Sequence, residues 1–107
     1  MSYAFPPALL RSLRNDLPID ALIRSHLDVP WKEREGYLRF LCPHCGDFHT
    51  ATNPKTNLAR CFRCRVNFNP IDLVMAVDAC NFVQAVKTLL PLLRAYQRRS
   101  VHQPPST

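Results

Sequence analysis

The chain has 107 residues, 47% of them apolar and 21% charged, with a formal net charge of +6. That is one small folded domain, too short to hold both a polymerase or helicase centre and a separate recognition module. No apolar run approaches the roughly 18 residues of a membrane span, and no signal-peptide core opens the chain, so the expectation is a cytoplasmic protein without a membrane.

Pro6-Pro7 opens a first helix, and Leu9, Leu10, Leu13 and Leu17 recur at helical spacing. Pro18 interrupts the pattern, and Ile19, Leu22, Ile23 and Leu27 mark a second helix that ends before Pro30. From Val29 the period changes. Trp31 to Arg34, Gly36, and Tyr37 to Leu41 read as a hairpin that runs into Cys42. Asn53-Pro54-Lys55-Thr56-Asn57 is turn chemistry, and Leu58 to Phe62 is a strand leading to Cys64.

Helical periodicity returns at Asn69-Pro70, a cap followed by a first-turn proline, with Ile71, Val74, Met75 and Val77 on one face. Asn81 caps a further helix bearing Phe82, Val86, Leu89 and Leu90 on one stripe. Pro91 should kink or end it, with Leu92, Leu93 and Tyr96 in one more segment. Cys80 stands alone among apolar residues and reads as core. The polar tail from Ser100 onward is expected to be disordered.

Four of the five cysteines decide the fold class. They fall as Cys42-Pro43-His44-Cys45 and Cys61-Phe62-Arg63-Cys64, two C-x-x-C pairs with 15 residues between them. That is the spacing of a structural zinc site, in which each tight knuckle supplies two thiolates to one tetrahedral ion. Gly46 permits the positive backbone angle that such a knuckle tends to require. Disulfides would call for an export signal, and a redox pair for a strand–helix context at Cys42; neither is present. His44 is one residue too close to Cys42 to chelate beside it, and His49 lies beyond the turn. The ligands of one structural Zn²⁺ are therefore Cys42, Cys45, Cys61 and Cys64.

The expected fold is a small α+β zinc ribbon. A short antiparallel sheet carries two zinc knuckles and is flanked by N-terminal and C-terminal helices. One domain spans residues 1–99, its ribbon core covers about 29–68, and the tail covers 100–107.

The chain resembles the N-terminal zinc-binding domain of bacterial and phage DNA primases over about residues 5 to 92. The stretches that carry the resemblance are Phe5 to Leu10, Leu17 to Ile23, the two knuckles, Ile71-Asp72-Leu73-Val74-Met75, and Phe82 to Leu89. The family's histidine ligand is Cys45 here, as in some phage primases. Arg65 replaces the glycine usual after the second knuckle, and Val66-Asn67-Phe68-Asn69 replaces a glycine-rich link. Thr50-Ala51-Thr52-Asn53 stands where the family has a threonine-proline-serine-phenylalanine strand. The polymerase and TOPRIM domains of a primase, with their acidic cluster, do not follow.

The resemblance implies a module that recognises single-stranded template for a primase core. The charge distribution agrees. Residues 1–30 carry three Arg against three Asp, whereas residues 31–65 carry seven Lys or Arg against three acids. A single strand is held by cations interleaved with aromatic faces, and Trp31, Tyr37, Phe40 and Phe62 interleave with the cations of the ribbon. Strand alternation places Tyr37 and Arg39 on one face and buries Leu38 and Phe40 on the other. The candidate nucleic-acid contacts are Lys32, Arg34, Tyr37, Arg39, Lys55, Arg60 and Arg63. Four thiolates and one Zn²⁺ sum to −2, which lowers the metallated charge to about +4, so binding should be weak and salt-dependent.

The leading expectation is thus a zinc-dependent single-stranded DNA-binding module of primase type, serving a separately encoded primase or replication initiator. It has no small-molecule substrate and, lacking a carboxylate cluster or a nucleophile–base pair, no enzymatic activity. A protein–protein adaptor ribbon is the alternative, and it predicts exposed Leu or Phe on the C-terminal helices, with Leu92, Leu93 and Tyr96 uncovered. A piece cut from a longer primase is the third reading.

Overall fold

The computed structural model describes residues 5–102, with side chains through Arg98. Helices α1 (Pro7–Asn15) and α2 (Ile19–Ser25) precede strands β1 (Trp31–Arg34), β2 (Tyr37–Phe40), β3 (Thr50–Asn53), β4 (Leu58–Cys61) and β5 (Val66–Phe68). Helices α3 (Pro70–Asp78) and α4 (Phe82–His102) follow. It is a small α+β fold of the zinc-ribbon kind.

The strands form two antiparallel sheets rather than one, β1-β2 and β3-β4-β5. Glu35 and Gly36 join β1 to β2 with both φ angles positive, 56° and 81°, the two-residue turn that matches strand twist. The sheets are stitched together by one buried side chain. The Thr50 hydroxyl accepts the Phe40 N–H at 2.8 Å and donates to the Phe40 carbonyl, and Arg39 donates to the Thr50 carbonyl at 3.2 Å. A side chain thus satisfies the backbone groups that a ladder would otherwise take.

Two buried clusters hold the layers. One joins Leu13, Leu17 and Leu22 to Ile71, Val74, Val86, Leu89 and Leu93. The other sets Ile19, Ile23 and Leu73 against Leu38, Phe40, Ala59 and Phe68, and it includes Cys42 and Cys61. Asn57 ties the N-terminal helices to the β3–β4 turn. Its side chain accepts the Ile19 N–H at 2.8 Å and donates to the carbonyls of Arg14 and Leu17 at 2.6 and 2.8 Å. The first donor of α2, whose N-cap is Pro18, is thereby satisfied from a distant turn.

The structure departs from expectation at β5, at β3 and at the end of α4. Val66–Phe68 is an edge strand rather than a link, because its register opposite Ala59–Cys61 supplies a ladder that three residues alone cannot signal. Thr50–Asn53 is a strand despite its polar sequence, set by pairing with β4. Of the two outcomes expected at Pro91, a kink or an end, the helix does not end there. Proline forfeits one helical bond, and burial of Leu89 and Leu93 on either side keeps the helix on the core. The helix also runs to His102, past the expected boundary at Ser100, and residues 103–107 of the expected disordered tail lie outside the described residues.

α3 begins with a full capping box: Asn69 accepts the Asp72 N–H at 2.8 Å and Asp72 accepts the Asn69 N–H at 3.2 Å. It meets α4 at a bend of 115°. No single helix among the described residues is long and apolar enough to cross a membrane.

Candidate metal centre and the adjoining basic track

The metal centre is built from two similar turns. Thr50 pairs with Cys61 in the β3–β4 ladder, and the Phe62 N–H bonds to the His49 carbonyl at 2.8 Å. The end of the first knuckle is therefore held beside the start of the second. The Cys42 N–H reaches the Asp47 carbonyl at 2.9 Å and closes the first turn.

The four sulfurs of Cys42, Cys45, Cys61 and Cys64 lie within 4.8 Å of one another. Two pairs run between the knuckles, Cys42 to Cys64 at 3.9 Å and Cys45 to Cys61 at 3.7 Å. A tetrahedral ion with metal–sulfur bonds of about 2.3 Å requires edges of about 3.8 Å, so the donors fit one metal ion. All are free cysteines, as expected from the sequence. The His44 N–H points at the Cys42 sulfur and the Cys64 N–H at the Cys61 sulfur, both at 3.4 Å, supplying dipoles that favour thiolate.

Without a metal the thiols share charge unevenly. Burial pushes the Cys42 thiol up. The Cys45 thiol, then burial, pushes Cys64 up to about 12. Burial also raises Cys61, but the Cys64 N–H and the neighbouring thiols outweigh it and bring Cys61 down to about 7. His44 is not a ligand; its ring stacks on Phe68 at 5.4 Å. Cys80 is half-buried against the helical core, as read from the sequence.

The register decides which side chains share the outward face. Lys32 lies opposite Arg39, Arg34 opposite Tyr37, and Ala51 opposite Arg60, which lies opposite Asn67. Directly opposed residues of an antiparallel pair project to the same side. The burial pattern agrees: Tyr37 is exposed and Arg39 partly so, while Leu38 and Phe40 are buried.

Three hollows run along this face and share residues at their junctions. Lys32, Arg34 and Arg39, together with the acidic Glu35 and Asp47, line one of about 400 Å³ that also reaches His49. His49, Arg63 and Phe62 line the next, of about 260 Å³. Phe62 continues into a third of about 600 Å³, together with Tyr37, Lys55 and Arg60. All seven candidate contacts read from the sequence border this track.

They are not equally available. Arg63 is paired with Asp47 at 3.0 Å. Partial burial would raise the Asp47 carboxyl, but the Phe48 N–H, His49 and Arg63 outweigh it and hold it below its ordinary value. Lys32 sits over the Phe48 ring at 4.5 Å, and Arg60 lies 5.7 Å from the Phe62 ring while donating to Asn67 at 3.1 Å. Tyr37 and Phe62 are each 56% exposed, which leaves both rings open to a stacking partner. Trp31 is farther from the track's chemistry, since Arg24 lies over its ring at 5.8 Å and pairs with Glu33.

Sequence reasoning left Phe48, Asn53 and Asn67 out of the track. Only the fold brings Phe48 under Lys32, and no periodicity marks a residue in an irregular loop. Phe62 was visible as part of the aromatic interleaving but not as the junction of two hollows.

No protein-family model matches the chain, and none of the curated proteins matches it. The four-sulfur centre on an α+β ribbon defines a small metal-binding module.

Proposed function

We propose that the chain is a zinc-binding module that holds single-stranded DNA on the outward side of its two sheets. Its role would be template recognition for replication priming, in the cytoplasm, beside a separately encoded primase or initiator. The proposal takes zinc as the ion because four thiolates in a closed tetrahedral set are the donors a structural zinc site uses. The observation that carries it is a run of neighbouring hollows that share His49 and Phe62, lined by Lys32, Arg34 and Arg39 at one end and by Tyr37 and Arg60 at the other. Cations there serve phosphates, and two open rings serve bases. The resemblance to primase zinc-binding domains supports the same reading. The role is binding rather than catalysis.

The adaptor alternative required Leu92, Leu93 and Tyr96 to be uncovered. Leu93 is buried and Leu92 and Tyr96 pack against the helical core, whereas Phe82 at the first turn of α4 stays exposed.

Fluorescence anisotropy with labelled single strands, at two salt concentrations, tests the reading on zinc-loaded protein. Binding should weaken steeply as salt rises, because each neutralised phosphate of a single strand contributes about 0.7 to the logarithmic salt slope. Absent or salt-insensitive binding would overturn it.

A further inference from the structure

The helical half carries a second basic surface that the sheet track does not use. α4 contains no acidic residue from Phe82 to His102. Ala85, Val86, Leu89 and Leu93 are buried, while Lys87, Arg94 and Arg98 are exposed. At about 100° per residue these three cations lie within about 40° of one another around the axis, and at a 1.5 Å rise they span about 16 Å. Arg94 and Arg98 have no side-chain partner among the described residues. α1 packs on α4 and bears exposed Arg11 and Arg14 of its own.

A row of cations suits several polyanions, but each makes further demands. An anionic membrane needs an exposed apolar face beside the charges. In α4 that face is spent on the core. A protein partner needs apolar or aromatic anchors at the centre of its interface. Among the described residues, the exposed large apolar ones are Trp31, Tyr37 and Phe62 in the ribbon and Phe82 at the first turn of α4, none of them along the row. A single strand needs stacking platforms, and the exposed neighbours of the row among the described residues are Gln84, Thr88, Pro91, Ala95 and Gln97. A DNA double helix makes no such demand, since its bases are already stacked and its phosphates face outward.

We infer that the exposed side of α4, along Lys87, Arg94 and Arg98, is a second nucleic-acid contact that takes the phosphate backbone of double-helical DNA. It is separate from the single-strand track and does not depend on it.

The test is anisotropy with labelled duplex and labelled single strand, on the full metal-loaded chain, across a salt series. The parent should bind duplex. Arg94→Ala with Arg98→Ala should lower the logarithmic salt slope on duplex by about 2 and weaken binding roughly tenfold at low salt. Binding of the single strand should stay unchanged. Arg94→Lys with Arg98→Lys should restore the duplex slope, and both variants should keep the parent's unfolding midpoint. Absence of duplex binding by the parent, or an unchanged slope in the alanine variant, overturns the inference. So does tighter binding of anionic vesicles than of duplex. A second pair, Arg39→Ala with Arg60→Ala, separates the two surfaces. If it spares single-strand binding while the α4 variant loses duplex binding, the track fails and this surface stands. Equal losses on both probes in both variants would mean diffuse charge only, and would overturn a distinct duplex surface.

Discussion

Gly46 and Arg65 occupy equivalent corners of the two knuckles. Each follows the second cysteine of its pair, and each adopts a left-handed backbone, with φ of 69° and 58°. The Gly46 N–H bonds to the Cys42 carbonyl at 2.9 Å, and the Arg65 N–H to the Cys61 carbonyl at 2.8 Å. The same corner is thus turned by glycine once and by arginine once. A side chain in this region costs about 1–2 kcal/mol, whereas glycine enters it freely.

Arg65→Gly should therefore stabilise the metal-loaded protein, by about 0.5–1 kcal/mol once the greater freedom of glycine in the unfolded chain is deducted. Gly46→Ala should destabilise it by about 1 kcal/mol through backbone strain alone, since a Cβ there meets nothing within 4 Å. Denaturant unfolding of the two variants measures both. A less stable Arg65→Gly protein would show that the arginine side chain supports the knuckle.

Asn57→Ala should cost about 2–3 kcal/mol. It strands the Ile19 N–H and the Arg14 and Leu17 carbonyls in a site where Asn57 itself is 8% exposed. It also places alanine at φ 56°. Asn57→Gly removes the strain but not the lost bonds, so it should recover only part of the loss. Hydrogen exchange should show faster opening of α2 in both variants, and normal protection of α2 would refute the capping role.

Metal affinity should fall as pH falls. Proton and metal compete for the same sulfur lone pairs, and in the metal-free chain Cys42 and Cys64 are both pushed toward the protonated form. Binding at neutral pH must release both of these protons, whereas Cys61, at about 7, is largely ionised above that pH. Calorimetry in buffers of different ionisation enthalpy counts the protons released, and a pH-independent affinity would contradict the four-thiolate set. Chelation should also unfold the ribbon, because Cys42 and Cys61 are part of its core.

Within the track, Arg39→Ala and Arg60→Ala should each lower the salt slope for a single strand by about 0.7. Phe62→Ala should weaken binding by about 1–3 kcal/mol without moving the slope, because a stacked base releases no counterions. Arg63→Ala should have the smallest effect, its guanidinium being paired with Asp47. A larger loss from Arg63 than from Arg39 or Arg60 would reverse this order.

The metal ligands were legible in the sequence because two C-x-x-C pairs need only local turns to aim their sulfurs together. The β1–β2 hairpin, the capped start of α3 and the buried face of α4 were legible for the same reason: alternation, caps and helical spacing act within a few residues. The β5 strand and the bond between Thr50 and Phe40 were not. Val66–Phe68 is extended because Ala59–Cys61 lies beside it, and the Thr50 hydroxyl finds Phe40 only once both sheets exist.

Charge and composition alone named the cations of the ribbon, and pattern alone named the sulfurs. The tertiary structure decided which cations are spoken for, since Asp47 reaches Arg63 across the two knuckles and Phe48 reaches Lys32 from a loop. It also decided that three hollows share His49 and Phe62 between neighbours. Proximity between residues far apart in the chain depends on packing and register, which no local pattern encodes.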